Sequence, residues 1–459
     1  MFEIIYRAVA LGAALLLSGQ VCGDAPHARP APDAPALAAL GPHAVGVMRQ
    51  SLPREQIGAR VPAPYAAKRI AALIWYPAQS SATDRPSTAY RARLPVSLRV
   101  EPHGGAPVMV AGIAIDDAPP ESGGPWPLVI ISHGFQNWAA NMAYLGENLA
   151  SKGYVVASID HFDLDVTDAE SRRISAAETV LTRAADIAAV AEWIIDRGAD
   201  PADPLHGRID PDRIALAGYS MGGFGALTAA GAAVDPASPM IAALPEALKP
   251  PASQYLSGRV GALLLIAPWG GAPDVRIWTA ESLATLNVPA LLIAGSHDDI
   301  VDYAGGVRWL FDTMRAADRS LLVYENARHN TGPEPAPPEI RHAMASLERY
   351  EEPVWRAERI MAINQHFATA YLDAALKQDA RAARYLDLPV VRSNDGVWAK
   401  SRRRQLSGAS RPPFDALATR QDNPDFWPGF QPRWALGLQY HTASGRRQKA
   451  DQAEAVQTN

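Results

Sequence analysis

Short, uninterrupted apolar runs separated by helical and polar stretches dominate the middle of this chain. The runs at 128–131, 155–159 and 260–266 show no polar alternation, which is typical of strands covered on both faces. Between them lie stretches with apolar residues at helical spacing, for example 139–151 and 176–196. Strands that alternate with helices predict an α/β fold: a mainly parallel sheet with right-handed crossovers and helices on both faces.

The remaining elements are expected on both sides of this alternation. Further strands are predicted at 44–48, 70–76, 214–217, 290–294 and 321–324, and a last long helix at 356–378. Ser175 and Glu178 form a capping-box pattern that predicts the start of the helix at 176. The segment 81–126 is polar and rich in Pro and Gly, so we expect an irregular excursion. Periodicity fades after Pro389, so residues 386–459 are expected to form a solvated, loosely packed extension of unknown role.

The first residues have the pattern of an export signal. Arg7 precedes a short apolar stretch, and Val21 and Gly23 are small residues at −3 and −1 of a cut before Asp24. We therefore predict a signal peptide at 1–23, a Pro/Ala-rich linker at 24–42, a folded domain at 43–385, and an exported protein, periplasmic or secreted. Lipidation at Cys22 is an alternative, but the three residues before it fit a lipoprotein cut poorly.

Composition excludes several classes of partner and cross-link. The net charge is −5 and charged residues make up 20% of the chain, which gives no reason to expect a nucleic-acid partner. Cys22 is the only cysteine, so no intrachain disulfide can form. No segment after the signal is long and apolar enough to predict a stable membrane span.

The strongest motif follows the apolar run 214–217. It reads Gly218-Tyr219-Ser220-Met221-Gly222-Gly223 and leads into a run of small residues. A G-x-S-x-G sequence between a strand and a helix predicts a nucleophile elbow. The glycines are needed because side chains there would collide with the strand or the helix. The turn would expose Ser220 Oγ, and the Met221 N–H at the helix start would stabilise an oxyanion.

A nucleophilic serine needs a base and an orienting carboxylate, each after a later strand. The strand at 290–294 is followed by Gly295-Ser296-His297-Asp298-Asp299, and the strand at 321–324 by Glu325-Asn326-Ala327-Arg328-His329. We predict that His329 is the base and that Asp298 orients it, with Asp299 and Asp302 left as competitors.

The other histidines have structural interpretations. His297 neighbours the carboxylate, and His342 and His366 lie in helical stretches where packing is expected. His133 belongs to the loop after the strand at 128–131, where the N–H of Phe135 is predicted to be the second oxyanion donor.

Several motifs together resemble the α/β-hydrolase superfamily. They are Ser132-His133-Gly134-Phe135, Gly153-Tyr154-Val155-Val156, the serine motif, Ala267-Pro268-Trp269, and Asp298 with His329. The chain is similar over about 44–376 to dienelactone hydrolase-like and platelet-activating-factor acetylhydrolase-like enzymes, and also to cutinase-type polyester hydrolases. The resemblance implies that Phe135, Met221 and Trp269 line the acyl pocket. The chain departs from the family where Tyr219 replaces a frequent His, where a C-terminal disulfide is absent, and in the added segments.

The resulting expectation is a serine carboxylic-ester hydrolase that needs no cofactor and acts on short-chain or aromatic esters, small or polymeric. A peptidase or amidase, a polyester or lipid-ester hydrolase, and a non-catalytic protein of the same fold remain alternatives. One acidic loop could suit calcium, which binds clustered oxygen ligands. It contains Asp160, Asp163, Asp165, Asp168 and Glu170. No glycine among these acids would provide the tight loop turn, so no metal site is predicted.

Overall fold

The structure is a computed structural model that describes residues 35–53, 69–99, 107–244, 255–341, 343–396, 425–430 and 435–445. The predicted signal peptide and most of the predicted linker lie outside these residues, as does His342. Cleavage before Asp24 and lipidation at Cys22 therefore stay predictions.

The described residues form twelve strands, ten α-helices and several short 3-10 or π turns. The strands are β1 Ala44–Pro53, β2 Arg69–Ala78, β3 Ala89–Arg91, β4 Met109–Ala111, β5 Ile115–Asp116, β6 Trp126–Ser132, β7 Val155–Asp160, β8 Ile209–Tyr219, β9 Val260–Ile266, β10 Ala290–Gly295, β11 Arg319–Tyr324 and β12 Leu438–Ala443. The helices are α1 Val96–Arg99, α2 Ala143–Ala150, α3 Ala169–Ala199, α4 Met221–Ala229, α5 Pro239–Ala242, α6 Ala280–Thr285, α7 Arg308–Thr313, α8 Met344–Tyr350, α9 Ala357–Leu376 and α10 Ala380–Ala383.

Ten of these strands form one sheet in the order β12-β11-β10-β9-β8-β6-β7-β2-β1-β5. The six neighbours from β11 to β7 are parallel, whereas β2 is antiparallel to both β1 and β7. All residues of β10 and nearly all of β9 are buried, as expected for strands covered on both faces. The predicted α/β-hydrolase fold, a mainly parallel sheet with surrounding helices, is confirmed. Within the described ranges, no helix is long and apolar enough to cross a membrane.

The long helix α3 begins seven residues earlier than predicted. Asp168 is its N-cap: the Asp168 side chain accepts a hydrogen bond from the Ser171 N–H at 2.8 Å. Ser175 is buried inside the helix, and its hydroxyl donates to the Leu164 carbonyl at 2.8 Å. The predicted capping box at Ser175 is therefore wrong, because that hydroxyl binds a loop carbonyl instead of capping a helix.

The described residues of the segment 81–126, which are 81–99 and 107–126, are more ordered than the predicted irregular excursion. Strands β3 and β4 pair as a small antiparallel sheet, and β5 joins the main sheet beside β1. Tyr90 anchors the small sheet, because its buried hydroxyl donates to Glu147 at 2.6 Å and accepts from the Trp75 indole at 2.7 Å. The carboxylate of Glu147 also accepts hydrogen bonds from the amides of Ile113 and Ala114.

The described part of the C-terminal extension is not loosely packed, which corrects the sequence-based expectation. Strand β12 pairs antiparallel with β11 along six residues. Phe367 of α9 stacks on Tyr440 of β12, with ring centroids 5.3 Å apart, and contacts Trp427 and Phe430. These three aromatic residues of the extension are buried. The apolar face of α9 therefore completes its core contacts with residues from the end of the chain.

Candidate active site

Ser220 lies at a sharp turn between β8 and α4. Its backbone has φ 53° and ψ −117°, a conformation that residues with a side chain rarely adopt. Four backbone hydrogen bonds hold it there. The Ser220 N–H donates to the Ile266 carbonyl at 2.9 Å, and the Ser220 carbonyl accepts from Gly223 at 2.9 Å, Trp269 at 3.0 Å and Phe224 at 3.3 Å. The strained turn is thus fixed by the neighbouring strand and by the first turn of the helix.

Glycine is required on both sides of this serine. A Cβ at Gly222 would lie 1.9 Å from the Ser132 carbonyl oxygen, and one at Gly218 would lie 2.2 Å from the Gly222 carbonyl oxygen. Both contacts are with backbone atoms, which cannot rotate away. The steric reason predicted for these glycines is therefore confirmed.

The structure brings Ser220, His329 and Asp298 into one hydrogen-bonded chain. His329 Nε2 lies 3.1 Å from Ser220 Oγ, and His329 Nδ1 lies 2.8 Å from Asp298 Oδ2. The second Asp298 oxygen accepts from the amides of Ile300 and Val301, at 3.0 and 3.1 Å. The Asp298 side chain is fully buried, whereas 15% of the His329 side chain is exposed. Such a chain can take the proton of Ser220 Oγ and stabilise the imidazolium that results.

The two competing carboxylates have other partners. Asp299 forms a two-point ion pair with Arg328 at 2.5 and 3.2 Å, and this hydrogen bonding holds the pKa of Asp299 below its usual value. Asp302 accepts from the Gly305 amide at 2.9 Å. The geometry therefore selects Asp298 as the partner of His329.

The loop with Phe135 (residues 133–137, called the oxyanion loop after its predicted role) is held by a buried ion pair. Among the hydrogen bonds of the described residues, none uses the amide of Phe135 or of Met221. Gln136 has φ 57°, and its amide donates to Asp163 at 2.7 Å. Asp163 is itself in a buried ion pair with Arg183 at 2.9 Å. Asp163 thus anchors the loop in the interior of the protein.

A second Ser–His–Asp chain lies beneath this loop and is entirely buried. Ser132 Oγ is 2.9 Å from His161 Nε2, and His161 Nδ1 is 2.9 Å from Asp186. At most 2% of each of these residues is exposed, so a substrate cannot reach them. His133 lies beside His161, and burial holds the pKa of His133 well below its usual value. This cluster, with the structural His133 that the sequence predicts, supports the base of the oxyanion loop.

Trp269 lies next to the nucleophile but is only half buried. Its amide donates to the Ser220 carbonyl, and its ring contacts Phe224 edge-on, with centroids 5.9 Å apart. Phe135 is also half buried, whereas Met221 is 6% exposed. The acyl-pocket role of these three side chains stays a prediction.

Every acid of the predicted acidic loop has a partner of its own. Asp160 pairs with Arg93, Asp163 with Arg183, Asp165 with Arg99 and Glu170 with Arg173, while Asp168 caps α3. No cluster of three or more metal-binding side chains occurs in the described part of the chain. The loop carboxylates therefore contribute ion pairs and a helix cap.

Three residues near the site were missed from the sequence. Tyr219, in place of the frequent His, lies against the His329 ring at 5.2 Å, and its hydroxyl donates to the His329 carbonyl at 3.3 Å. Arg349 contacts the oxyanion loop, and Glu352 contacts the loop that carries His329. No motif marks either of them; their only signal is their place shortly after His329 in the chain.

A cleft of about 900 Å³ opens beside His329. Its walls come from the loops around Asp299 and Arg328 and from residues 347–358. Ile300 and Leu347, which line it, are 60% and 40% exposed. The cleft thus presents both apolar and charged side chains to solvent next to the histidine.

Two family models match consecutive parts of the chain. The PET hydrolase-like family (PETase) matches residues 111–268, which include Phe135 and Ser220. The Hydrolase_4 family, described as serine aminopeptidase S33, matches residues 273–336, which include Asp298 and His329.

Curated relatives are similar over somewhat less than half of the chain. The bis(hydroxyethyl) terephthalate hydrolase of Streptomyces coelicolor is 27% identical over 45% of this chain and 52% of its own length. Cutinase est1 of Thermobifida alba is 26% identical over 44% of this chain and 52% of its own length. Cutinase 2 of Thermobifida cellulosilytica is 26% identical over 44% of this chain and 59% of its own length. The chain thus spans about half the length of the curated relatives it matches. The sheet order shows an α/β-hydrolase fold, and these matches show that the chain is similar to the cutinase-like polyester hydrolases of the α/β-hydrolase superfamily.

Proposed function

We propose that this protein is a serine carboxylic-ester hydrolase that works through an acyl-enzyme. The observation that carries the proposal is the continuous hydrogen-bonded chain from Ser220 Oγ through His329 to the buried Asp298. The similarity to cutinases and to a bis(hydroxyethyl) terephthalate hydrolase supports ester bonds as the target.

The proposed reaction uses only side chains and amides of this chain. Ser220 Oγ attacks the ester carbonyl carbon while its proton passes to His329 Nε2. Asp298 keeps the His329 Nδ1–H in place and stabilises the imidazolium. The amides of Phe135 and Met221 stabilise the oxyanion of the tetrahedral intermediate. His329 then gives the proton to the leaving alcohol, and water, activated by the same histidine, releases the acid from Ser220.

For the substrate, we propose short-chain or aromatic acyl groups. Trp269 supports this proposal, because its amide donates to the Ser220 carbonyl, its indole is partly exposed, and a rigid aromatic surface can stack on a flat acyl group. Two observations favour polymeric esters as a further substrate class: the matched relatives include cutinases, and exposed apolar side chains, Ile300 and Leu347, line the cleft beside His329 together with charged ones.

Replacing Ser220 with Ala tests the proposed function directly. We expect Ser220→Ala to abolish hydrolysis of p-nitrophenyl acetate and butyrate while the melting temperature stays near the wild-type value. A fluorophosphonate should label the wild type and not the variant. A matching p-nitroanilide separates an ester hydrolase from a peptidase, and substantial turnover of esters by Ser220→Ala would refute the proposal.

Trp269→Ala tests the acyl pocket. We expect kcat/KM for a benzoate ester to fall by roughly tenfold, which corresponds to about 1.4 kcal/mol of lost transition-state contact. The melting temperature should hardly change, because the side chain is only partly buried. A large loss of stability would identify Trp269 as a core residue, and an unchanged kcat/KM in a stable variant would remove it from the pocket.

Export belongs to the same proposal. The apolar stretch after Arg7 and the small residues before Asp24 support cleavage of the first 23 residues. The mass of the mature protein would check this cleavage, and a mass that shows a diacylglyceryl group on Cys22 would favour the lipoprotein alternative.

A further inference from the structure

We propose that one short segment after the His329 loop holds both halves of the active site in register, with Arg349 and Glu352 as its positioning residues. The segment comprises residues 344–352 and is called the bridging segment below. Its two functional contacts are with the oxyanion loop and with residues 325–331, the histidine loop. The inference rests on the proposed function, since positioning matters only if these loops act in one reaction.

Arg349 holds the oxyanion loop through backbone groups that Asp163 does not use. A single Arg349 nitrogen, Nη2, donates to the carbonyls of Phe135 and Gln136, at 2.7 and 2.6 Å. These carbonyls directly follow the Phe135 amide that is proposed to bind the oxyanion. Hydrogen bonds from a charged donor are stronger than those from a neutral one. Arg349 thus restricts rotation of the backbone at the proposed oxyanion donor.

Glu352 holds the histidine loop on both sides of the base. Its two carboxylate oxygens accept from the amides of Arg328 at 2.6 Å and Asn330 at 2.7 Å, the residues that flank His329. Burial raises the pKa of Glu352, while these two amide hydrogen bonds oppose the rise. One carboxylate therefore fixes both peptide groups next to His329, and with them the direction of its ring toward Ser220.

The bridging segment is itself anchored, so it can transmit position between the two loops. Tyr350 is buried and contacts Trp138 edge-on, with centroids 6.0 Å apart. Asn330 donates from its side chain to the carbonyls of Glu348 and Glu351, at 2.9 and 3.0 Å. The segment is thus tied to the core next to the oxyanion loop and to the histidine loop by two further bonds.

This arrangement predicts a specific kinetic pattern. A small displacement of catalytic groups can lower a rate by about a hundredfold without weakening substrate binding. We expect Arg349→Ala to lower kcat for p-nitrophenyl butyrate by about a hundredfold and Glu352→Gln by about tenfold, with KM within about threefold of wild type. Guanidinium ions at about 20 mM should restore at least part of the kcat of Arg349→Ala by occupying the vacated site, and should not accelerate the wild type.

Two further variants keep the test decisive. Glu281→Gln is the matched control, because Glu281 is an exposed glutamate of α6 that lines neither the cleft nor the two loops, and it is expected to retain wild-type kcat. Arg349→Lys retains the charge but not the planar guanidinium, and should lose about tenfold in kcat; it decides the question if Arg349→Ala does not fold.

The inference is overturned if Arg349→Lys and Glu352→Gln match Glu281→Gln in kcat. It is also overturned if three results occur together. The losses in kcat follow the losses in melting temperature, KM changes by the same factor as kcat, and guanidinium does not restore the kcat of Arg349→Ala. An active Ser220→Ala would instead refute the proposed function. If Ser220→Ala is inactive but Arg349→Lys and Glu352→Gln have the kcat of the control, only this inference is refuted.

Discussion

Asp298→Asn is expected to lower kcat for ester hydrolysis by about 10⁴-fold, the loss typical of a triad whose carboxylate is replaced by its amide. Asp298 Oδ2 lies 2.8 Å from His329 Nδ1 and the side chain is fully buried, so no water can replace the lost acceptor. An asparagine that turns its amide nitrogen toward the ring would favour the wrong imidazole tautomer. Steady-state kinetics with p-nitrophenyl butyrate measure the effect.

Asp299→Asn is the matched control for this experiment. Asp299 is the next residue in the chain, but it is exposed and paired with Arg328. Because solvent screens the charges of an exposed ion pair, we expect kcat to change by less than about threefold. A loss in Asp299→Asn that equals the loss in Asp298→Asn would contradict the assignment of the carboxylate.

Gly222→Ala is expected to destabilise the protein by about 3 kcal/mol or more, or to prevent folding. The new Cβ would lie 1.9 Å from the Ser132 carbonyl oxygen, at the point where α4 crosses the end of β6. Neither the Gly222 nor the Ser132 backbone can shift without moving the nucleophile or the oxyanion loop. Overpacking commonly lowers the free energy of unfolding by about 1–3 kcal/mol even where side chains can adjust. Urea unfolding monitored by circular dichroism gives the free-energy change.

Gly258→Ala separates collision from backbone strain. Gly258 has φ +78°, yet a Cβ there would meet nothing within 4 Å. Its substitution should therefore cost only the roughly 1–2 kcal/mol of a side chain in the left-handed region. Equal losses in the two variants would mean that the collision at Gly222 is relieved by relaxation.

The central strands could be predicted because burial on both faces leaves a signal that needs no context. The run at 260–266 matches β9 residue for residue. Strand β12, Leu438–Ala443, lies at a sheet edge and mixes buried with partly exposed positions over only six residues, so no comparable run marks it. The start of α3 was missed for another reason: two capping patterns, at Asp168 and at Ser175, compete within eight residues, and only tertiary contacts decide between them.

The residues of the candidate site also differ in whether the sequence predicts them. The closeness of Ser220, Asp298 and His329 could be predicted because each lies shortly after a buried strand, and parallel strands bring such positions to one edge of the sheet. Arg349 and Glu352 were not found because they bind backbone groups, which every sequence offers, and do so through chain separations of 214 and 24 residues. Nothing local distinguishes them from surface charges.

The contribution of β12 has a consequence for where the chain can be shortened. A chain ended at residue 385, the boundary suggested by the fading periodicity, would leave β11 without its antiparallel neighbour and would uncover Phe367. A strand with free amide and carbonyl groups beside an exposed apolar face is a template for pairing with other molecules. Strand β12 therefore protects the sheet against intermolecular aggregation, although it lies far along the chain from every residue proposed to act in catalysis.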